Sequence, residues 1–372
     1  MLVGVPREIK THEYRVGMVP ASVRELVHHG HQVMVETHAG HGIGFDDPDY
    51  AAAGAEIVDT AAEIFARADM IVKVKEPLAP EIAMLREGQV LFTYLHLAAD
   101  RVQTQGLVES GCVAIAYETV TDDRGGLPLL SPMSEVAGRM SIQVGAHCLE
   151  KESGGRGVLL GGVPGVPAAD VVILGGGVVG TNAARMAMGL EAKVTVVDKS
   201  LRRLYELDLQ FGAKLNTVFS TVDAIEKAVA QADLVVGGVL LPGAAAPKLV
   251  TRDMVKGMKR GAVIVDVAID QGGCCETSRP TSHAAPTYVD EGVVHYCVTN
   301  MPGAVARTST LALNNATLPF VVALADQGVA AALHHDPHLR AGLNIHTGRV
   351  TYEAVASEFG MPYQTAEAAI GA

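Results

Sequence analysis

One stretch constrains the fold of this chain more than any other: residues 171–198, VVILGGGVVGTNAARMAMGLEAKVTVVD. An apolar run of β-formers leads into Gly175, Gly177 and Gly180 in G-x-G-x-x-G spacing. A helix-forming stretch follows to Leu190, then a second apolar run from Lys193, closed by Asp198. Each part has a physical job. The first Gly permits a tight turn out of the strand, the second lets the backbone approach a pyrophosphate, and the third lets helix and strand pack closely. The helix N-terminus offers free N–H groups and a partial positive charge to the anion. Asp198 can accept hydrogen bonds from a ribose 2′-OH, and its charge would repel a 2′-phosphate, so the segment predicts a dinucleotide site that favours NAD over NADP. A Gly-rich turn alone is a weak signal, because such turns also occur as bare structure. Strand, helix, second strand and terminal acid together form a specific one.

The same βα alternation extends to both sides. Residues 1–128 predict strands at 2–5, 32–36, 70–74, 90–94 and 113–117, with helices between them, for example over 20–29 and 61–67. Pro20 suits a first helical turn and Gly30 a helix stop. Strands alternating with helices imply a parallel sheet in a doubly wound layer. The turn-rich run 121–130, TDDRGGLPLL, marks a boundary. A helix is expected over 134–151, capped by Ser131 or Ser134, with Val136, Met140, Val144 and Cys148 as its apolar stripe. Beyond Asp198, runs at 215–218, 234–239, 263–269 and 294–298 complete about six strands, enough for both halves of a Rossmann sheet. The tail reads as helix over 309–328 and 351–359, with no strands of its own, and so is expected to pack elsewhere.

Composition narrows the partners. With 372 residues the chain is long enough for two domains, and a formal charge of −12 argues against nucleic acid and anionic membranes. There is no Trp for a stacking platform. The five Cys are scattered, no C-x-x-C pair exists, and adjacent Cys274 and Cys275 give no usual metal spacing, which suits a reduced cytoplasmic compartment. His283, His295 and Glu276 likewise fit no standard ligand pattern, so no metal is expected. The start, MLVGVPREIK, lacks a secretory signal, and residues 316–333 are interrupted by Asp326 and Gln327, too polar a break for a bilayer span.

The segments GVPREIKTHEYRVGMVP, VKVKEP, TYLHLA, GGGVVG and NMPGAVARTST together resemble the bacterial L-alanine dehydrogenase family, with the N-terminal part of the transhydrogenase α subunit as the nearest alternative. The resemblance runs nearly end to end. It implies an α/β fold of two doubly wound domains with a substrate cleft between them: a Rossmann NAD-binding domain at 129–306 and a discontinuous, flavodoxin-like substrate domain at 1–128 and 307–372. It also implies a cytoplasmic homohexamer. The implied chemistry is oxidative deamination of L-alanine by NAD and water to pyruvate, NADH and ammonium, and the reverse.

That chemistry needs a carboxylate clamp, a cation at the reacting carbon and an acid/base. Arg15 by itself would read as a solvated surface Arg. The resemblance makes it the substrate-carboxylate ligand, which a planar guanidinium can grip with two hydrogen bonds. Lys73 and Lys75 alternate on one predicted strand face, and the resemblance selects Lys75 as the substrate-binding lysine. His96 is one of 14 His, most of which must be structural. It matches the family's general acid/base, and free imidazole titrates near neutrality as that role requires. Asp270, expected at a strand end, would otherwise be an ordinary turn cap; the motif VAIDQGG makes it the second catalytic residue. For the cofactor the resemblance adds Ser134, Val178, Val179, Arg203, Ser220, Val239, Leu240, Asn300 and Met301 to Asp198 and the three glycines. Arg203 could pair with adenosine phosphate or be solvated. Competing functions are a transhydrogenase-type subunit and a non-catalytic NAD sensor, which would not need Arg15, Lys75, His96 and Asp270 together.

Overall fold

The computed structural model describes residues 1–239 and 246–371. Its strands, in chain order, are β1 (Leu2–Val5), β2 (Gln32–Glu36), β3 (Glu56–Val58), β4 (Met70–Val72), β5 (Val90–Thr93), β6 (Val113–Ala116), β7 (Asp170–Leu174), β8 (Lys193–Asp198), β9 (Leu215–Phe219), β10 (Leu234–Gly237), β11 (Val263–Asp266), β12 (Thr287–Asp290), β13 (Val293–Tyr296), β14 (Leu343–His346) and β15 (Arg349–Val350). They form two sheets, one in each of two compact units: Met1–Met133 with Val305–Ala372, and Ser134–Ala304.

In the second unit the order is β12-β13-β11-β10-β7-β8-β9. Leaving aside antiparallel β12, this is the 3-2-1-4-5-6 order of a Rossmann sheet, with its switch point between β7 and β10. The strands β10, β11 and β13 are buried at every position, as a sheet covered on both faces requires, while edge strand β12 alternates and edge strand β9 is buried only at Leu215. Helix Ser131–Cys148 approaches helix Val178–Gly189 so closely that a Cβ on Gly138 would lie 2.2 Å from the Val179 carbonyl oxygen. That helix begins three residues earlier than its apolar stripe suggests. Ser134 therefore lies in its first turn and is no cap, while the Ser131 hydroxyl donates to the Leu127 carbonyl.

The first unit is also doubly wound. Its sheet runs β15-β14-β6-β5-β4-β1-β2-β3, so its six parallel strands share the 3-2-1-4-5-6 order and the flavodoxin order 2-1-3-4-5 is not used. The expectation of a strandless tail is corrected here. β14 pairs antiparallel with β6, and β15 closes a hairpin on β14 through Thr347 and Gly348, both at positive φ. Two consecutive positive-φ residues make the turn that matches strand twist. Thr is a rare choice for it, and the strands are only a few residues long, so the hairpin leaves little trace in the sequence. Helix Ala306–Gln327 is long and apolar enough to cross a membrane by length and composition. Here it is a core element of the first unit: Asn314 is buried, accepts from the Val19 N–H (2.8 Å) and Ser22 Oγ (3.1 Å), and donates to the Gly17 carbonyl (3.1 Å).

Candidate active site

In the first unit Arg15, Lys75 and His96, the residues expected to face the substrate, follow β1, β4 and β5, neighbours in the sheet, so all belong to the C-terminal edge where open α/β sheets place ligands. Arg15 is not a surface side chain. It is buried, and its Nε and Nη2 both lie 2.6 Å from the Glu13 carboxylate, with Nη1 3.1 Å from Met133 Sδ. Burial opposes its charge, but the Glu13 carboxylate outweighs that and holds the guanidinium protonated. The pair follows from spacing, since residues i and i+2 of an extended chain share a side.

β4 ends at Val72, so the alternation expected through Lys75 breaks, and the two lysines part company. Lys73 is completely buried, 2.6 Å from Glu81 and 3.1 Å from Glu8. Desolvation raises the Glu8 carboxyl even though Lys73 pulls it down. Glu8 also accepts from the Val74 N–H (2.7 Å) and the Lys75 N–H (3.2 Å), which turns the chain away from the strand. Lys75 is left half-buried, its Nζ 3.3 Å from Glu76. Burial pushes the Glu76 carboxyl up, but Lys75 and Lys10 prevail and bring it to about 2. Sequence reasoning misses Glu8, Glu13, Glu81 and Glu118. A lone Glu carries no positional signal; only Glu13, two residues from Arg15, offers one.

His96 follows β5 in the left-handed region (φ 50°), an uncommon state for a residue other than Gly, Asn or Asp and one associated with functional sites. The Glu118 carboxylate holds it there, accepting from the His96 N–H (2.5 Å) and the Leu95 N–H (3.2 Å). The imidazole stacks on Tyr94, centroids 5.8 Å apart and planes 5° off parallel, and Nδ1 lies 3.9 Å from Glu118. Tyr94 is itself fixed by donating to the Leu129 carbonyl (2.5 Å). The side chain of His96 keeps 47% of its surface exposed, as an acid/base must.

In the second unit the glycine turn has the geometry a pyrophosphate needs. Gly175 has φ 96°, and a Cβ on Gly180 would lie 1.8 Å from the Gly175 carbonyl oxygen. A Cβ on Gly177 would meet nothing within 4 Å: the protein leaves that side of the turn open. Gly177 is the N-cap of helix Val178–Gly189 and gives it no side-chain cap, so first-turn N–H groups remain available to an anion. The turn therefore fits a dinucleotide. Val178 is exposed, while Val179 and Val239 lie half-buried beside the switch point. Asp198 ends β8; its oxygens accept from the Gly176 N–H and the Ser200 N–H, both at 2.7 Å, and each keeps a lone pair for a ribose hydroxyl. Arg203 is half-buried and committed within the protein: it donates to the Gly176 carbonyl (2.6 Å), Thr181 Oγ1 (2.6 Å) and Glu206 (2.8 Å). Asp198 and Arg203 thus brace Gly176 from its two sides.

The remaining sites are more mixed. Ser220 follows β9, its N–H donating to the Asp198 carbonyl (2.9 Å), and Ser134 is half-buried. Asn300 is half-buried and hydrogen-bonds His283 through its carbonyl (2.8 Å). Met301 is buried in the apolar core, so its backbone is what can face a ligand. Leu240 lies outside the described residues. Asp270 is not at a strand end. β11 stops at Asp266, and Asp270 sits exposed in a 3-10 turn, Val267–Gln271. Apart from Asp266 the run 263–269 is apolar, and nothing in its composition marks where pairing stops.

The sequence matches the family description "Alanine dehydrogenase/PNT, N-terminal domain" over residues 4–137 and "Alanine dehydrogenase/PNT, C-terminal domain" over residues 141–353. The chain belongs to the alanine dehydrogenase/PNT family. It is 62% identical over 371 residues to an alanine dehydrogenase of Halomonas elongata and 57% identical over 371 residues to one of Methanococcus maripaludis, each match covering 100% of both chains. A solved L-alanine dehydrogenase superposes with a TM-score of 0.94 at 55% identity, covering 97% of this chain and 99% of that one. A transhydrogenase from Sinorhizobium meliloti is a more distant member at 27% identity and TM-score 0.82, covering 95% of this chain and 100% of that one.

Proposed function

We propose that this chain catalyses the reversible, NAD-dependent oxidative deamination of L-alanine to pyruvate and ammonium. The observation that carries this reading is the grouping of Arg15, Lys75 and His96 after three neighbouring strands of one parallel sheet, in a chain whose other unit bears an open dinucleotide turn. Full-length similarity to alanine dehydrogenases supports it. Arg15, oriented by Glu13, binds the substrate carboxylate. Lys75 hydrogen-bonds the substrate and stabilises the oxyanion that develops when water adds at Cα. His96 moves the proton to and from that water, and Asp270 is the second catalytic residue. Gly175, Gly177, Gly180 and Asp198 hold the dinucleotide, with Ser134, Val178, Val179, Arg203, Ser220, Val239, Leu240, Asn300 and Met301 around it. NAD bound there supplies the hydride acceptor.

This reading makes the protein a cytoplasmic homohexamer, divided as a substrate domain at 1–128 and 307–372 and an NAD domain at 129–306. The five cysteines are free and buried, which suits a reducing compartment. Absorbance in the NADH band tests the function: purified protein with L-alanine and NAD, and no second protein, should produce NADH. A chain that exchanges hydride only between two nicotinamides, and leaves alanine untouched, is a transhydrogenase component instead.

A further inference from the structure

The second unit holds a buried polar cluster that the proposed reaction does not use. β11 ends on Asp266, which is completely buried. Its Oδ2 accepts from the Cys274 N–H (2.9 Å), the Cys275 N–H (3.3 Å) and Ser278 Oγ (2.6 Å). Its Oδ1 is buried with no N–H or O–H donor. The groups beside it are thiols. Cys274 and Cys275 are both completely buried and unbridged, and their sulfur atoms and an Asp266 carboxylate oxygen all lie within 4.8 Å of one another.

Room for the cluster comes from the sheet. Gly237 of β10 pairs with Asp266, and a Cβ there would lie 2.4 Å from Cys274 Sγ and 2.9 Å from Asp266 Oδ1. On the other side, buried Cys297 follows β13, but its sulfur lies 3.7 Å from the Tyr288 hydroxyl and outside the group formed by Asp266, Cys274 and Cys275. Two thiols and one carboxylate thus gather beside the end of β11, although no two of them have metal-ligand spacing along the chain.

We propose that this cluster is a binding site for a thiophilic divalent cation of the zinc type, held by Asp266 Oδ1 and the sulfurs of Cys274 and Cys275. Two sulfurs and an oxygen are ligand types that zinc takes, and three protein ligands leave the fourth tetrahedral position to water. The three donors on Oδ2 do for Asp266 what outer-shell partners do for a ligating carboxylate: they fix its direction. On binding, two S–H bonds are replaced by metal–sulfur bonds and two protons pass to solvent. The loaded site then carries one net negative charge. The Lys248 ammonium, which donates to the carbonyls of Gly272 (2.5 Å), Gly273 (2.8 Å) and Cys275 (3.3 Å), offsets part of that charge. A cation here ties together both ends of the 266–275 segment.

Cobalt is the probe. Full-length protein, reduced, stripped with a chelator and shown folded by circular dichroism, is equilibrated with Co²⁺. About one cobalt per chain should bind, with the near-ultraviolet thiolate-to-cobalt absorption expected of thiolate ligands. Cys274→Ser and Cys275→Ser should each weaken binding at least tenfold, while Cys148→Ser, a buried thiol elsewhere in the same unit, should leave it unchanged. Folded wild-type protein that shows no thiolate band overturns the proposal without recourse to any variant. A band that survives in both Cys274→Ser and Cys275→Ser overturns it as well.

Discussion

Two glycines of the dinucleotide turn, three residues apart, should respond to the same added methyl group in opposite ways. At Gly177 the backbone is extended with φ −66°, which alanine adopts freely, and the added Cβ would meet no protein atom within 4 Å. Alanine is a poorer N-cap than glycine, which costs some fraction of the ~1 kcal/mol typical of capping changes. The loss of unfolded-chain entropy returns about 0.4–1 kcal/mol. The two nearly cancel, so Gly177→Ala should melt within a few degrees of wild type. Its methyl nevertheless enters the space proposed for the pyrophosphate. Displacing one charge-assisted hydrogen bond costs roughly 1.5–3 kcal/mol, or about 10- to 200-fold in NADH affinity. At Gly180 the Cβ would lie 1.8 Å from the Gly175 carbonyl oxygen, a backbone atom that cannot rotate aside. Gly180→Ala should therefore lose stability at the upper end of the ~1–3 kcal/mol range for overpacking, together with NADH binding. Thermal melts and NADH fluorescence titrations read both effects. If Gly177→Ala binds NADH like wild type, the phosphate does not sit at this turn and the assignment of the cofactor site fails.

Arg15→Lys keeps a charge but loses the two-pronged contact with Glu13. It should raise the KM for alanine and pyruvate, lower stability by roughly 1.5–3 kcal/mol, and leave NADH titrations unchanged; an equal loss of NADH binding would make Arg15 cofactor-facing. Asp198→Ala should narrow the preference for NAD over NADP, read as the ratio of kcat/KM values, and should loosen the turn because Gly176 and Ser200 lose their acceptor. His295 is buried and holds the neutral form: it hydrogen-bonds the Val293 carbonyl (3.0 Å) through Nδ1 and Thr277 Oγ1 (2.8 Å) through Nε2, and burial lowers its pKa. Its share of stability is present above the ordinary value of about 6.5 and is lost as pH falls below it toward the depressed folded value. Urea unfolding of wild type and His295→Gln at pH 7.5 and 5.5 should show the variant losing less on acidification; equal losses would contradict this.

The sequence carries the fold wherever side-chain periodicity and glycine spacing are long enough to be unambiguous. The run from Val171 to Asp198 is the clearest case, because the three glycines, the helix and the acid must all agree on one geometry. The short elements are illegible. β3 has three residues and β15 two, too few to show an alternation, and the Thr347-Gly348 turn lacks the usual Asn-Gly or Asp-Gly signature. At the candidate site, Arg15, Lys75 and His96, named from the family pattern, lie on the strand-edge loops, but their partners cannot be read. Glu8 and Glu118 act by reaching backbone N–H groups or a cation across the fold, and a carboxylate that does so looks in sequence like any solvated Glu; Glu13, two residues from Arg15, is the exception. Lys73 and Lys75 show the same limit: two residues apart and chemically identical, they are separated into a buried ion pair and a half-buried ammonium only by where β4 ends.

The proposed mechanism stands or falls on steady-state deamination of L-alanine by wild type, His96→Asn, Asp270→Asn and the double variant, with NADH titrations alongside. Asparagine suits position 96 because it tolerates the left-handed backbone found there. Each single variant should stay folded and lose about 10²–10⁴-fold in kcat, since positioned acid/base groups contribute on that scale. If the two residues act as one unit, the double variant should be little slower than the poorer single one. His96→Asn should bind NADH like wild type. Turnover close to wild type in either folded single variant would contradict the mechanism and remove that residue from it.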